Sequence, residues 1–527
     1  MSKRWIRGLA CLLGLSLLSG CGNQRTADIR AAATLPPAVS LYAAPDGDEI
    51  RTEAREYTLY LPVSGELHLT TRPIWVEAGS MTETAEALIQ GQLEEQNEIL
   101  GLTSGGGRPL TLYDDRPAEI SGGICTVNLG ASALQLSTAE LYRTCVGLAT
   151  TLCSLDEINF VNVLVADQSV GMDITGNLAM GSLTGHPDEN LPVLWEQMEA
   201  KRTPLGEDLS RTPLNALATL YYPLEENRGI GCETRVLNFE GQTPQQLASG
   251  LMNEMERMLR ENRTGGDALS LNSLLIHDPL TSELEDGGRL ITLSLAGNAE
   301  ELLAEQNLDL SCLLAAVTCT LTTFIPGIAA VCVRMGDKLL TELNSRRFGR
   351  LPVLGGLLRR EAFSSFLRGS AAVCLVRNGR LVLRNHPVDM EEADSARAML
   401  TALMEGPTKQ EETEGLEAPL PAGIQEDDIL GIAPRGNTLL VNLSESFRAE
   451  IQAAGPEREM LLCYSMVNTL CLDSDYRKVC FYFEGEQVER IAGELYWAGD
   501  FIVNPGLLDS GSGLFIFRSY FCKKAGI

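Results

Sequence analysis

The sequence predicts an α+β protein of tandem small sandwiches, with two helices on one face of a short mixed sheet and an αββαβ-like core, in three copies. Three observations predict it. The text "SMVNTLCLDSDYRKVCFYFEG" at 465–485 reads as a helix end, a turn and an apolar strand. It has a counterpart in "GLATTLCSLDEINFVNVLV" at 147–165 and a looser one in "AAVTCTLTTFIPGIAAVCVR" at 315–334. A glycine-led strand precedes each: "GGICTVNLG" (122–130), "GGRLITLSLAG" (287–297) and "RGNTLLVNLSE" (435–445). From that strand to the shared threonines Thr151, Thr320 and Thr469 the spacing is 24, 27 and 28 residues, so two blocks recur in one order.

Each copy opens with a strand-like run, "YTLYLPV" (57–63), "LATLYYPL" (217–224) or "AAVCLVRNG" (371–379). A helix follows, centred on "ALIQGQL" (87–93), "QLASGLM" (246–252) or "AMLTALM" (398–404). In the third copy Ala396, Met399, Leu400, Leu403 and Met404 fall on one helical face, and Gly406-Pro407 stops the helix. In the glycine-led strand Leu439, Val441 and Leu443 alternate with Leu440, Asn442 and Ser444, the period of a sheet packed mainly on one side. The "GG" and "RGN" turns favour a hairpin there. The second helix and the closing strand complete the unit.

At 527 residues, 44% apolar and 21% charged, the chain is globular and too long for one core. Its net charge of −28 argues against a nucleic-acid partner, because phosphate binding needs a basic face. The N-terminus "MSKRWIRGLACLLGLSLLSGC" places Lys3, Arg4 and Arg7 before a short apolar run that ends in Leu18-Ser19-Gly20-Cys21. That run has the shape of an export signal, and its ending looks like a lipobox. Residues 1–20 are therefore expected to be a lipoprotein signal peptide and Cys21 the lipidation site. A diacylglyceryl-type lipid on Cys21 then serves as membrane partner, since more than one acyl chain gives stable anchoring. Residues 21–54, rich in Ala, Thr, Pro and Gly, read as a flexible linker. The remaining divisions are expected at 55–185, 213–345 and 369–507 for the three copies, with a basic amphipathic linker at 346–368 and a C-terminal tail at 508–527.

That linker carries Arg346, Arg347, Arg350, Arg359, Arg360 and Arg368 among leucines and phenylalanines. Such a cluster suits an anionic lipid surface, an acidic partner, or a cover over the second and third copies that pairs with their carboxylates. Pro352 and Gly355-Gly356 interrupt any long helix within it.

No catalytic residue, metal ligand or cofactor-binding residue is assigned, and no cofactor is expected. His68, His186, His277 and His386 are scattered singly, in solvated or capping roles. The carboxylate pairs Asp114-Asp115 and Glu426-Asp427-Asp428 sit in polar turn-like text. Cys145 and Cys153, like Cys463 and Cys471, are eight residues apart on a helix, about 12 Å and beyond bridging distance. These read as core thiols, while a Cys471–Cys480 or Cys319–Cys332 bridge stays open.

The stretch from "SARAMLTALMEGP" through "LEAPLPAGIQ", "TLLVNLSESF" and "MVNTLCLDSDYRKVCFYFEGEQV" to "FIVNPGLL" resembles the GerM domain of sporulation and spore germination proteins, over about 385–507. Residues 55–170 resemble it less closely and lack "MEGP"; 213–342 are recognisable mainly through their neighbours. Known members are typically exported lipoproteins with paired domains, so a third copy departs from the pattern. The resemblance implies a role in endospore formation between mother cell and forespore, with envelope proteins of a sporulation complex as partners. It also implies likeness to the ring-building modules of secretion systems.

The expectation from the residues is a non-enzymatic scaffold or assembly factor on the outer face of the cytoplasmic membrane. Repeated modules suit avidity or head-to-tail oligomers. A peptidoglycan-acting cell-wall enzyme, or its regulator, is the alternative, and it requires a cleft with carboxylates or an activated nucleophile.

Overall fold

Each unit of the chain begins with an antiparallel ribbon. β1 (Arg55–Leu61) pairs with β2 (Thr70–Val76), and α1 (Met81–Ile99) follows. β3 (Glu119–Ser121) and β4 (Ile124–Leu129) form a hairpin, α2 (Thr138–Leu152) crosses over, and β5 (Phe160–Val165) returns parallel to β4. β6 (Gln168–Ser169) closes the sheet in the order β3-β4-β5-β6. A short helix α3 (Leu191–Glu199) ends this first unit.

The same path recurs. β7 (Leu214–Pro223) and β8 (Ile230–Phe239) make the second ribbon, followed by α4 (Pro244–Glu261) and the short α5 (Leu271–Leu274). β9 (Leu280–Glu283), β10 (Arg289–Leu295), α6 (Ala299–Glu305), α7 (Leu310–Phe324), β11 (Ile328–Met335) and β12 (Lys338–Leu339) come next, with sheet order β9-β10-β11-β12. Then β13 (Glu342–Ser345) and β14 (Gly349–Pro352) form a small hairpin, and β15 (Leu357–Leu358) joins the edge of β11.

The third unit runs β16 (Arg368–Arg377), β17 (Arg380–Asp389), α8 (Ala396–Glu405), α9 (Lys409–Thr413), β18 (Ile429–Arg435) and β19 (Thr438–Leu443). It continues with α10 (Glu445–Ala454), α11 (Pro456–Cys471), β20 (Lys478–Phe483) and β21 (Asp500–Phe501), with sheet order β18-β19-β20-β21. The fold is α+β with several small mixed sheets. The computed structural model describes residues 42–49 and 54–509, apart from 78, 104–106, 117, 156, 172–177, 202–206, 262–270, 285–287, 390–394, 473 and 475. The signal stretch 1–20, Cys21 and most of the tail at 508–527 lie outside the described residues.

Local chemistry sets the helix starts. Ser80 with Glu83 and Ser137 with Glu140 form capping boxes at α1 and α2, and Ser395 and Ser444 cap α8 and α10. Every residue of α7 is buried. Among the described residues no single helix is long and apolar enough to cross a membrane.

Two large apolar clusters result. One is continuous from Leu59 to Leu367, so the first two units share a core. The other, from Ala371 to Phe501, belongs to the third unit. Gly122 at the β3–β4 turn has φ +57°, and a Cβ there would lie 2.4 Å from the Cys232 carbonyl oxygen of β8. Only glycine permits that approach of the second ribbon to the first sheet.

Three expectations are corrected, and the alternatives for the basic stretch are narrowed. The opening strand of each unit has a partner, β2, β8 or β17. The sequence hides β2 because it is mostly exposed and carries Pro73 opposite Thr58. Residues 42–49, inside the stretch expected to be a flexible linker at 21–54, lie on the third sheet, where Glu49 N–H donates to Ile432 O at 2.8 Å. Leu440 and Asn442, expected to face out, are buried beneath that segment. The basic stretch 346–368, for which a cover over the second and third copies was one alternative, packs in cis and reaches the first unit as well: Phe363 and Phe366 are fully buried, Phe366 stacks on Phe348 at 4.0 Å, and Arg360 pairs with Glu119.

Candidate functional site: the outer faces of the three sheets

Strand register divides each sheet into two faces. Cys125, Val127 and Leu129 on β4, Ile291, Leu293 and Leu295 on β10, and Leu439, Val441 and Leu443 on β19 point into the cores. The opposite face carries Thr126 and Asn128 beside Asn162 and Leu164 in the first sheet, and Thr292 and Ser294 beside Cys332 and Arg334 in the second. In the third it carries Leu440 and Asn442 beside Cys480 and Tyr482. What covers these outer faces differs from unit to unit.

The second ribbon and the 360–366 turn cover the first face. Asn162 Nδ2 donates to Thr219 Oγ1 at 2.8 Å, and Ser182 Oγ donates to Asn162 Oδ1 at 3.0 Å, a buried network that joins the two units. Arg360 pairs with Glu119 and donates to Tyr221 Oη at 2.8 Å and Thr323 Oγ1 at 2.6 Å. Burial is the largest single influence and works against the guanidinium charge, but Glu119, Tyr221 and Cys319 together outweigh it and hold Arg360 well above its ordinary pKa. Arg116 Nη1 donates to Asp167 at 2.8 Å, and Asn128 Nδ2 donates to Asp167 Oδ1 at 2.7 Å. Between these pairs lies a cleft of about 150 Å³ lined by Arg116, Glu119, Asp167, Arg360 and Ser364. Glu119 and Asp167 are engaged by arginines, which suits them to fastening surfaces together, while the exposed Glu361 also lines the cleft.

Among the described residues the second face is the open one. Thr292, Ser294 and Cys332 are half-buried, Arg334 is exposed, and Leu280 on the edge strand β9 is 60% exposed.

Residues 42–49 cover the third face as a strap. Ala44 packs on Leu440, Cys480 and Tyr482. Tyr482 Oη donates to Tyr42 O at 2.7 Å, and Asn442 Nδ2 donates to Pro45 O at 2.9 Å. Asp48 accepts from Ile432 N at 3.0 Å and from Arg397 at 2.6 and 2.8 Å, while Arg435 pairs with Glu49 at 2.7 Å. Asn442 Oδ1 also accepts from Gly485 N at 3.0 Å, just as Asn128 Oδ1 accepts from Asp167 N at 3.1 Å. The asparagine of each "VNL" thus fixes the turn after its parallel strand. The recurrence of "VNL" was legible; its role required the turn geometry.

Residues 373–489 match the family model "Germane: Sporulation and spore germination". The third unit is a Germane domain. No curated protein sequence gives a significant match. Among solved structures, the tandem GerMN domains of the sporulation protein GerM from Bacillus subtilis are similar at 16% identity, with TM-score 0.22, covering 52% of this chain and 92% of that one. The first GerMN domain of the same protein is similar at 20% identity, with TM-score 0.19, covering 27% and 98%. A putative lipoprotein from Clostridium perfringens is similar at 15% identity, with TM-score 0.18, covering 26% and 87%.

Within the Germane domain, His386 departs from the expected solvated or capping role. It is 2% exposed and its Nε2 lies 3.0 Å from Glu411 Oε2, across from Arg384. Glu459, also buried, accepts from Trp497 Nε1 at 2.9 Å and Ala492 N at 3.0 Å, pinning the loop before β21. Elsewhere, His68 contacts Glu189 O and His186 contacts Thr184, while His277 is exposed. Asp428 accepts from the hydroxyl of Ser444 at 2.6 Å and from Ser446, while Asp114 lies in a turn beside Arg116. The cysteines among the described residues are thiols and not disulfides, Cys319, Cys332, Cys471 and Cys480 included. Burial pushes the thiols of Cys145, Cys232, Cys319 and Cys374 up to about 12. Among the described residues no group of three or more His, Cys, Asp or Glu could hold a metal ion.

Proposed function

We propose that this chain is an envelope lipoprotein of spore formation or germination, built as a scaffold from three GerM-like modules: 55–185, 213–345 and the Germane-bearing 369–507. One observation carries the reading: the Germane match falls on one of three units that share a single ribbon–helix–hairpin–helix–strand path. Further support comes from how the faces are used, since the outer faces of the first and third sheets bind protein segments in cis. A protein whose sheet faces already receive ribbons and straps is chemically equipped to receive others, and repetition raises effective concentration at each. The Clostridium perfringens neighbour is described as a putative lipoprotein, in keeping with acylation at Cys21.

The cell-wall enzyme alternative needs a carboxylate free to transfer a proton. Of the carboxylates lining the cleft, Glu119 and Asp167 are each engaged by an arginine and Glu361 is exposed to solvent, which favours the scaffold.

Pull-down of the full chain from sporulating cells tests the scaffold, with mass spectrometry of the N-terminal peptide as a test of the lipid. The expected result is an acylated Cys21 and a specific set of envelope proteins that Cys21→Ala fails to retain in the membrane fraction. Recovery of no envelope protein above background by either form overturns the scaffold.

A further inference from the structure

The strap and the face beneath it are matched in a way that neither other sheet repeats. At the positions that carry Thr126 and Asn162 in the first sheet and Thr292 and Cys332 in the second, the Germane domain has Leu440 and Cys480, both fully buried. An apolar pair on an outer face needs a cover, and Ala44 supplies it. Gly431 completes the fit. A Cβ there would meet Gly47 N at 2.5 Å, Gly47 O at 2.7 Å and Pro45 O at 2.8 Å, so the strap backbone lies directly on the strand. Charge closes both sides: Asp48 on Arg397 and Glu49 on Arg435.

We propose that residues 42–49 are a clamp that brings the anchored end of the chain to the Germane domain, making this C-terminal module the membrane-proximal one. The proposal rests on the lipoprotein reading above for its membrane half. Twenty residues separate Cys21 from Tyr42. Twenty residues can reach at most about 70 Å. The strap enters at Tyr482 and leaves at Arg435, so the anchored side of the chain meets the domain at the end of β20 that bears Glu484 and Gly485. On this placement the module that comes last in the sequence is the first one the anchored chain meets.

Two measurements test this on the full acylated chain. In vesicles of phosphatidylethanolamine and phosphatidylglycerol, a donor dye is placed on Glu486→Cys, Leu134→Cys or Leu280→Cys, one per module, with an acceptor lipid. Transfer is expected to be strongest from position 486 and to fall to the level of the others in Asp48→Ala. Asp48 lies on the strap, so its replacement leaves the domain's own fold intact. Equal transfer from all three positions in the parent chain overturns the membrane-proximal placement. Hydrogen exchange on the same chain in detergent reads the clamp without a membrane. The Glu49 and Ile432 amides are expected to exchange at least about tenfold more slowly than in Asp48→Ala. Unprotected amides in the parent chain overturn the clamp itself. Absence of acyl mass on Cys21 overturns the lipoprotein reading and with it the membrane half, while protected amides then still uphold the clamp.

Discussion

Thr469 on α11 accepts the backbone N–H of Cys374 on β16 through its side-chain oxygen at 3.0 Å. Thr320 accepts from Tyr221 N and Thr151 from Tyr60 N, each at 2.9 Å. All three threonines are buried, and each ties the second helix of its unit to the first strand of its ribbon. In the first unit Gln92 on α1 extends the link, accepting from Thr151 Oγ1 at 2.9 Å and donating to Tyr60 O at 2.7 Å.

A valine at any of these sites keeps the shape and leaves a buried N–H without an acceptor. Each Thr→Val change is expected to cost about 1–3 kcal/mol, and Thr→Ser to recover most of it. Urea midpoints for Thr469→Val against Thr469→Ser check this. Indistinguishable midpoints for the parent and the valine variant would refute it.

The Glu119–Arg360 pair predicts an asymmetry. The Arg360 side chain is 4% exposed and that of Glu119 26%. Glu119→Leu strands a sealed guanidinium and is expected to cost about 3–5 kcal/mol. Arg360→Met leaves a carboxylate that can reach water, and should cost distinctly less. Thermal denaturation of both variants, with the double variant closing the cycle, gives the comparison.

The buried thiols predict alkaline sensitivity. Their folded pKa of about 12 lies above the ordinary 9.0 because burial disfavours the thiolate. The unfolded chain therefore loses these protons first. Their contribution to stability is complete below pH 9 and is lost progressively as the pH rises from there towards 12. Unfolding free energy measured from pH 8 to 11 should fall, with Cys374→Ala falling less steeply. Thiol reagents at pH 8 should label these positions only after denaturation.

Glu459 predicts a spectroscopic change. Replacement by leucine removes the acceptor of Trp497 Nε1 and Ala492 N. The loop before β21 should loosen at a cost of about 2 kcal/mol. Trp497 is fully buried in the parent chain, and its emission should shift to the red. An unshifted spectrum would argue that the ring packing against Phe481 and Phe501 alone holds the loop.

Much of the fold was legible because it is written locally. The core positions of β19, the face of α8 and the three threonines follow from periodicity and spacing. The ribbons' second strands were not, because β2 is exposed and lacks a two-residue apolar period. Nor were the features of the candidate site. Arg360 finds Glu119 across 241 residues, and Asn442 finds Pro45 across 397. A sequence records charges and amides but not their partners, so the arginine-rich stretch kept several alternatives open, none of them naming the first unit, and the strap looked like a spacer.

The contact of residues 42–49 with the third sheet has a mechanical consequence. A pull applied at Tyr42 travels through the strap into β18, β19 and β20 and by-passes the covalent path through the first two units. Those units feel tension only after the strap has peeled, one bond after another from Tyr482 to Arg435. The closed circuit of chain acts as a fuse, yielding at a short run of hydrogen bonds before any core is strained.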